Sequence, residues 1–350
     1  MSNRFLLFGA NGYTGKLIVR YAKDFGLNPV LAGRNESAIA EIAKEFGLEY
    51  RITGLDDSTK LDSILSEFPL VLHAAGPFRH TAKQMIEACI RTKTHYIDIT
   101  GEILVFEMAK KYDQKAKEAG IMVMPGVGFD VVPTDCMALH LKNQMPDAVS
   151  LQLAFGSIGG MYSKGTATTM AEGAGEKSAV RINGQIVPVA LGHKGKWVDF
   201  GEKKLFTMTI PWGDVSTAYT TTGIPNIEVY TAIPPEVFKL LKYQWAYNWL
   251  LRLPFVRNMQ LKKIKAGKAG PTDAQRAAAK SLVWGEVTNA KGETKSARMV
   301  GPEGYTLTAQ TSLTIAKKIL GGDFKTGYQT PAGCYGENVV LEVEETRYNG

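Results

Sequence analysis

Cysteine is scarce in this chain: Cys89, Cys136 and Cys334 are the only three in 350 residues, and no two form a Cys-x-x-Cys pair. That scarcity argues against a disulfide framework and fits a reducing compartment, so a cytoplasmic location is expected. The five histidines, His73, His80, His95, His140 and His193, show no His-x-x-x-His spacing, and no dedicated metal site is expected. No stretch of about 20 residues is free of charge, which argues against a membrane-spanning helix. The apolar start Phe5–Phe8 is too short for a secretory leader and runs into glycine, which suits a first buried strand.

Acidic residues are nearly missing from one segment. Between Glu236 and Gly270 the cations Lys239, Lys242, Arg252, Arg257, Lys262, Lys263, Lys265 and Lys268 meet the single anion Glu236. The net charge of +7 therefore resides there, and the rest of the chain is neutral overall. With 45% hydrophobic and 21% charged residues the chain can bury a core unaided, and its length suits about two domains.

The first 125 residues alternate between two patterns. Short apolar runs at Phe5–Phe8, Pro29–Ala32, Tyr50–Thr53, Leu70–Ala74, His95–Ile99 and Ile121–Met124 predict strands. Helical spacing at Lys16–Phe25, Ser37–Phe46, Ser58–Phe68, Thr81–Thr92 and Ile103–Ala119 predicts the crossovers, with Ser58 and Thr81 as candidate caps. Six strands with five crossovers match a doubly wound Rossmann sheet. Beyond Pro125, a helix is expected from Pro133 to Lys142. Period-2 alternation and the turn at Asn183-Gly184 then indicate a second, α+β domain with a mostly antiparallel sheet. A helix over Leu307–Leu320 and a last strand over Val339–Val343 are expected to close the chain. The expected division is 1–130, 131–300 and 301–350.

The strongest chemical signal is Gly9-Ala10-Asn11-Gly12-Tyr13-Thr14-Gly15, directly after a predicted strand and opening a predicted helix. Gly9 suits a tight turn, Gly12 a close approach of pyrophosphate, and Gly15 tight helix–strand packing. Backbone amides across Gly9, Asn11, Gly12, Tyr13, Thr14 and Gly15 would then cradle phosphate at a helix N-terminus. The second strand ends in Gly33-Arg34-Asn35, where an NAD site would carry an acid. Arg34 can hold a 2′-phosphate through two parallel hydrogen bonds, so NADP is the expected cofactor. Ala75 and Gly76, after the fourth strand, would leave room for the nicotinamide ribose.

These segments, together with Thr94–Glu102, Gly126–Asp135, Gly301–Tyr305 and Gly327–Ala332, resemble the saccharopine dehydrogenase-like oxidoreductases, and within them the trans-acting enoyl reductase-like branch. The resemblance implies an NADP-binding Rossmann domain, a second α/β domain, a C-terminal return toward the first domain and reductase chemistry. It names no substrate.

Hydride transfer belongs to the cofactor, and the protein must position substrate and manage a proton. None of the fourteen tyrosines has Lys four residues later, which disfavours a short-chain-dehydrogenase pair. The remaining candidate acids are Asp98, ending the fifth strand, and Asp130, in the glycine loop after the sixth. Each has a plainer alternative, Asp98 as an acceptor for its own turn and Asp130 as a helix cap.

The sequence therefore predicts an NADP-dependent reductase acting on a C=N, C=O or conjugated C=C bond of a small or lipid-like molecule. The rival is a catalytically silent NADP-binding regulator. The basic segment 236–270, rich in aromatics, is compatible with domain packing, a homodimer contact, a substrate lid or peripheral membrane contact. Nucleic acid is not expected, because no binding motif accompanies the charge.

Overall fold

The first strand, β1 (Arg4–Phe8), has Phe5, Leu6 and Leu7 wholly buried, as a strand covered on both faces requires. The fold described here is that of a computed structural model and covers residues 3–349. After β1 come α1 (Tyr13–Ala22), β2 (Asn28–Gly33), α2 (Glu36–Phe46), β3 (Tyr50–Ile52), α3 (Ser58–Leu65), β4 (Leu70–His73) and α4 (Ala82–Thr92). Then follow β5 (His95–Asp98), α5 (Ile103–Lys110), α6 (Asp113–Ala119) and β6 (Met122–Met124).

Three local expectations are corrected. The helix read as Ile103–Ala119 is two, broken at residues 111–112. Asp113 opens α6, and its carboxylate accepts the Tyr328 amide at 2.8 Å and the Lys117 ammonium at 2.7 Å. That anchor is a long-range contact. Asp57, not Ser58, caps α3 by accepting the Lys60 amide at 3.0 Å. Thr81 precedes α4 but leaves it uncapped, because its hydroxyl bonds to Ala75 O at 2.9 Å.

The chain continues through α7 (Val132–Gln144), β7 (Ala148–Ile158), α8 (Lys164–Glu172), β8 (Ser178–Ile182), β9 (Gln185–Val189), β10 (Gly195–Asp199), β11 (Lys204–Thr209), α9 (Asp214–Thr222) and β12 (Asn226–Ala232). The basic aromatic segment forms three helices, α10 (Pro235–Leu241), α11 (Gln244–Leu251) and α12 (Pro254–Ala266). After it come α13 (Asp273–Ala278), β13 (Lys280–Asn289), β14 (Thr294–Pro302), α14 (Gly304–Leu320), β15 (Gly327–Tyr328), α15 (Pro331–Tyr335) and β16 (Arg347–Tyr348). The Asn183-Gly184 turn does join β8 to β9, with φ of 50° and 79°. Val339–Glu342 is a short 3-10 turn, not the expected strand. Its Val339 and Val340 are buried all the same, and an apolar run this short does not choose between strand and turn.

The chain divides into two units. One runs to Val132 and takes in Tyr305–Tyr335; the other is Pro133–Gly304 with the residues from Gly336 onward. The first contains a seven-stranded sheet of order β15-β6-β5-β4-β1-β2-β3, parallel throughout. Its β3-β2-β1-β4-β5-β6 portion is the Rossmann order. Phe8, Leu61, Leu65, Val71, Met85, Ile86 and Tyr96 share one of its cores. Each large side chain so buried contributes about 1.5–3 kcal/mol. The second unit contains a nine-stranded mixed sheet, antiparallel except where β12 pairs with β7.

Candidate functional site

The glycine loop joins β1 to α1 at the carboxyl end of the parallel sheet. Gly9 has φ +90°, and a Cβ there would lie 2.8 Å from Ala74 C and Ala75 N. A Cβ on Gly15 would lie 2.4 Å from Gly9 O. No side chain fits at either position, so the loop folds tightly beneath a cradle of bare backbone. Gly12 is the N-cap of α1, and no side chain caps that helix end. Orphan amides and a positive dipole end are what an anionic pyrophosphate needs. Tyr13 and Thr14 are the first two residues of α1. The Tyr13 ring is braced edge-on by Tyr305, 5.0 Å away.

Arg34 follows β2 and is exposed; among the described residues its guanidinium makes no hydrogen bond or ion pair. Asn11 lies over the same strand end, its Oδ1 3.5 Å from where a Gly33 Cβ would stand. The phosphate loop and the free guanidinium thus flank the end of β2. The bare cradle, the open helix end and this cation suit a dinucleotide with an extra phosphate.

Beyond β4, Ala75 is half-buried and Gly76 exposed, leaving the strand end open. The loop there is fastened by Glu102, whose carboxylate accepts the Phe78 amide at 2.8 Å and the Arg79 amide at 3.3 Å. The Arg79 side chain adds an ion pair at 3.1 Å. His73, ending β4, is wholly buried. The Thr81 hydroxyl gives its proton to Ala75 O, so the imidazole presents Nε2–H to it at 2.9 Å. Burial pushes His73 down to about 3, so the ring is neutral.

The two candidate acids sit in different settings. Asp98 is wholly buried and accepts three bonds: the Tyr96 hydroxyl at 2.5 Å, and the Thr100 and Gly126 amides at 2.9 Å each. Burial pushes it up to about 6, and the three donors offset part of the rise. Asp130 is half-buried and packs on Gly101, where a Cβ would lie 2.8 Å from its Oδ2. Burial pushes its carboxyl up to about 7, and the nearby Glu102 charge adds to the rise.

The loop carrying Asp130 is held by α14. The Thr308 hydroxyl accepts the Phe129 amide at 3.0 Å, and the Thr311 hydroxyl donates to Val127 O at 2.7 Å. Glu102 and Tyr305 stand in segments that carried the family resemblance, but spacing gave them no role. Thr308 and Thr311 look like ordinary helix residues, and only the fold brings them to this loop.

Comparison with known proteins agrees with this geometry. Residues 5–124 match the protein-family model described as the saccharopine dehydrogenase NADP binding domain. A lipid droplet localized protein of Caenorhabditis elegans is 24% identical over 330 residues, covering 80% of this chain and 77% of that protein. A saccharopine dehydrogenase-like oxidoreductase of Mus musculus is 28% identical over 201 residues, covering 50% of this chain and 47% of the mouse protein. The alignment with the mouse protein thus spans about half of that protein's length. The apo saccharopine dehydrogenase (L-Glu forming) of Saccharomyces cerevisiae has the same fold, with a TM-score of 0.67 and 13% identity over 99% of this chain and 100% of the yeast chain. Residues 5–124 are thus similar to a saccharopine dehydrogenase-type NADP-binding domain, and the cofactor this match indicates is NADP(H).

Proposed function

We propose that this chain is an NADP(H)-dependent reductase in which Asp130 delivers the proton that accompanies hydride transfer. The substrate is a small or lipid-like molecule with a C=N, C=O or conjugated C=C bond. The bound cofactor supplies the hydride. The chain's own residues do the rest. Gly9–Gly15 seat the pyrophosphate, with Asn11 alongside, and Arg34 grips the 2′-phosphate. Ala75 and Gly76 leave space for the ribose.

The observation that carries the reading is the contrast between the two acids. Asp130 has a carboxyl raised to about 7 and lies partly open at the carboxyl end of a doubly wound sheet, where ligands bind. A general acid works best with a pKa near the operating pH. Asp98 is sealed from solvent and fully engaged, so we assign it positioning: it holds the Gly126–Asp130 loop. Burial, with the nearby Glu102 carboxylate adding to it, keeps Asp130 protonated up to about neutral pH.

The lipid-like option draws support from the nematode relative's localisation to lipid droplets. It also fits the exposed aromatic helices α10–α12, and we place the chain's work at a lipid surface. No helix among the described residues is long and apolar enough to cross a membrane.

The test is NADPH oxidation against a panel of imines, ketones and enoyl thioesters. Turnover should appear with one class and vanish in Asp130→Asn while NADPH still binds. Binding without turnover on any class would leave the silent-regulator reading in its place.

A further inference from the structure

Most of the large apolar side chains that the fold leaves in water cluster on α10–α12 and around α8. Leu240 is 65% exposed, Trp245 79%, Trp249 63%, Phe255 65% and Met259 63%. Trp245 and Trp249 stand four residues apart on α11, as Phe255 and Met259 do on α12, so each pair shares one helix face. Past Met259 that face of α12 continues into the exposed Lys262 and Lys263. Tyr162 and Met170, beside and on α8, are exposed as well.

These helices are fastened to one another by bonds that do not use the exposed rings. Arg252 donates from Nε and Nη2 to Gly175 O at 2.8 and 2.7 Å, and Lys164 donates to Lys265 O at 2.8 Å. The aromatics are therefore left over after the fold is satisfied. Eight cations and one anion accompany them, and among the described residues none of those cations is in an ion pair.

We infer that α10–α12, with the adjoining α8, form a docking surface for anionic phospholipid and lie flat in its headgroup layer. This rests on the reading that the chain works at a lipid surface, and it names the segment and the headgroup charge. Only a surface with both apolar depth and negative charge satisfies the two features together. An acidic soluble protein would pair the lysines and leave Trp245 wet. A second copy would set one +7 segment against another. Helices of 7, 8 and 13 residues are too short to span a bilayer, so the attachment is interfacial and reversible.

The experiment is cosedimentation of the full chain with phosphatidylcholine vesicles, with and without phosphatidylserine. Wild type should bind the phosphatidylserine vesicles about tenfold or more tightly than phosphatidylcholine alone, and release at high salt. Trp245→Glu with Trp249→Glu should weaken that binding by about tenfold or more. Lys262→Glu with Lys263→Glu and Lys265→Glu should abolish the preference for phosphatidylserine. All these positions are exposed, and unchanged NADPH affinity shows that each variant is folded. Wild type failing to bind either vesicle would sink the lipid-surface reading itself. Wild-type binding retained by both variants would sink this inference alone, since lipid would be reached elsewhere. A dimer that the tryptophan variant dissociates, without vesicle binding, would assign the face to a second copy.

Discussion

The carboxylate of Asp98 accepts the amide of Gly126 at 2.9 Å and so ties the end of β5 to the loop that presents Asp130. In the function proposed above, two acids that look alike in the sequence divide the work: Asp98, engaged by three donors, would fix geometry, and Asp130 would carry the proton.

Asp130 should govern the pH dependence of turnover. With its carboxyl at about 7, the proton-donating form is present below that pH and lost above it. The rate of NADPH-driven reduction, as kcat/KM, should fall tenfold per pH unit above about 7. Stopped-assay profiles of wild type and Asp130→Glu should both show the descending limb. A flat profile through pH 9 would remove Asp130 from the proton transfer.

The same group should limit stability. Its folded pKa lies above its unfolded value, so its stabilising contribution is complete below about pH 4 and lost as pH rises through about 7. Asp130→Asn should therefore stabilise the fold at pH 8 by about 1–3 kcal/mol, with little effect near pH 4. Thermal unfolding at the two pH values checks this, and an equal change at both would contradict it.

Tyr96→Phe removes a donor from a wholly buried carboxylate. A cost of about 1–3 kcal/mol is expected. Because the donor favours the charged form, its loss should push Asp98 further above about 6. The destabilisation should accordingly be larger at pH 8 than at pH 5, read by urea unfolding at both.

Much of this unit was legible beforehand because its signals are local. Buried runs such as Phe5–Phe8 and Leu70–His73, separated by helical spacing, can hardly form anything but a parallel sheet. The tight turn of the glycine loop and the place of Arg34 just after β2 were equally readable, since each is set by a few adjacent residues. What escaped was long-range. β15 is two residues long and exists because Gly327 and Tyr328 pair with β6. The break before α6 depends on Asp113 meeting the Tyr328 amide. The loop supports, Thr308 and Thr311, lie some 180 residues from Val127 and Phe129 in the chain, with no local pattern to mark them. The different burial and partners of Asp98 and Asp130 are likewise nothing that spacing carries.

Gly15→Ala tests the cradle. Its Cβ would press within 2.4 Å of Gly9 O, which is backbone and cannot swing aside. A loss of about 1–3 kcal/mol in stability is expected, together with loss of detectable NADPH binding. Lys16→Ala, one residue on and exposed, should change neither. Native NADPH affinity in Gly15→Ala would show that the loop does not hold the pyrophosphate.

The most direct test of the account is calorimetric titration of wild type and Arg34→Ala with NADPH and with NADH. Wild type should bind NADPH more tightly than NADH, and Arg34→Ala should lose about 1.5–3 kcal/mol for NADPH while its NADH affinity barely moves. Equal losses for both dinucleotides, or no heat from either with wild type, would contradict it.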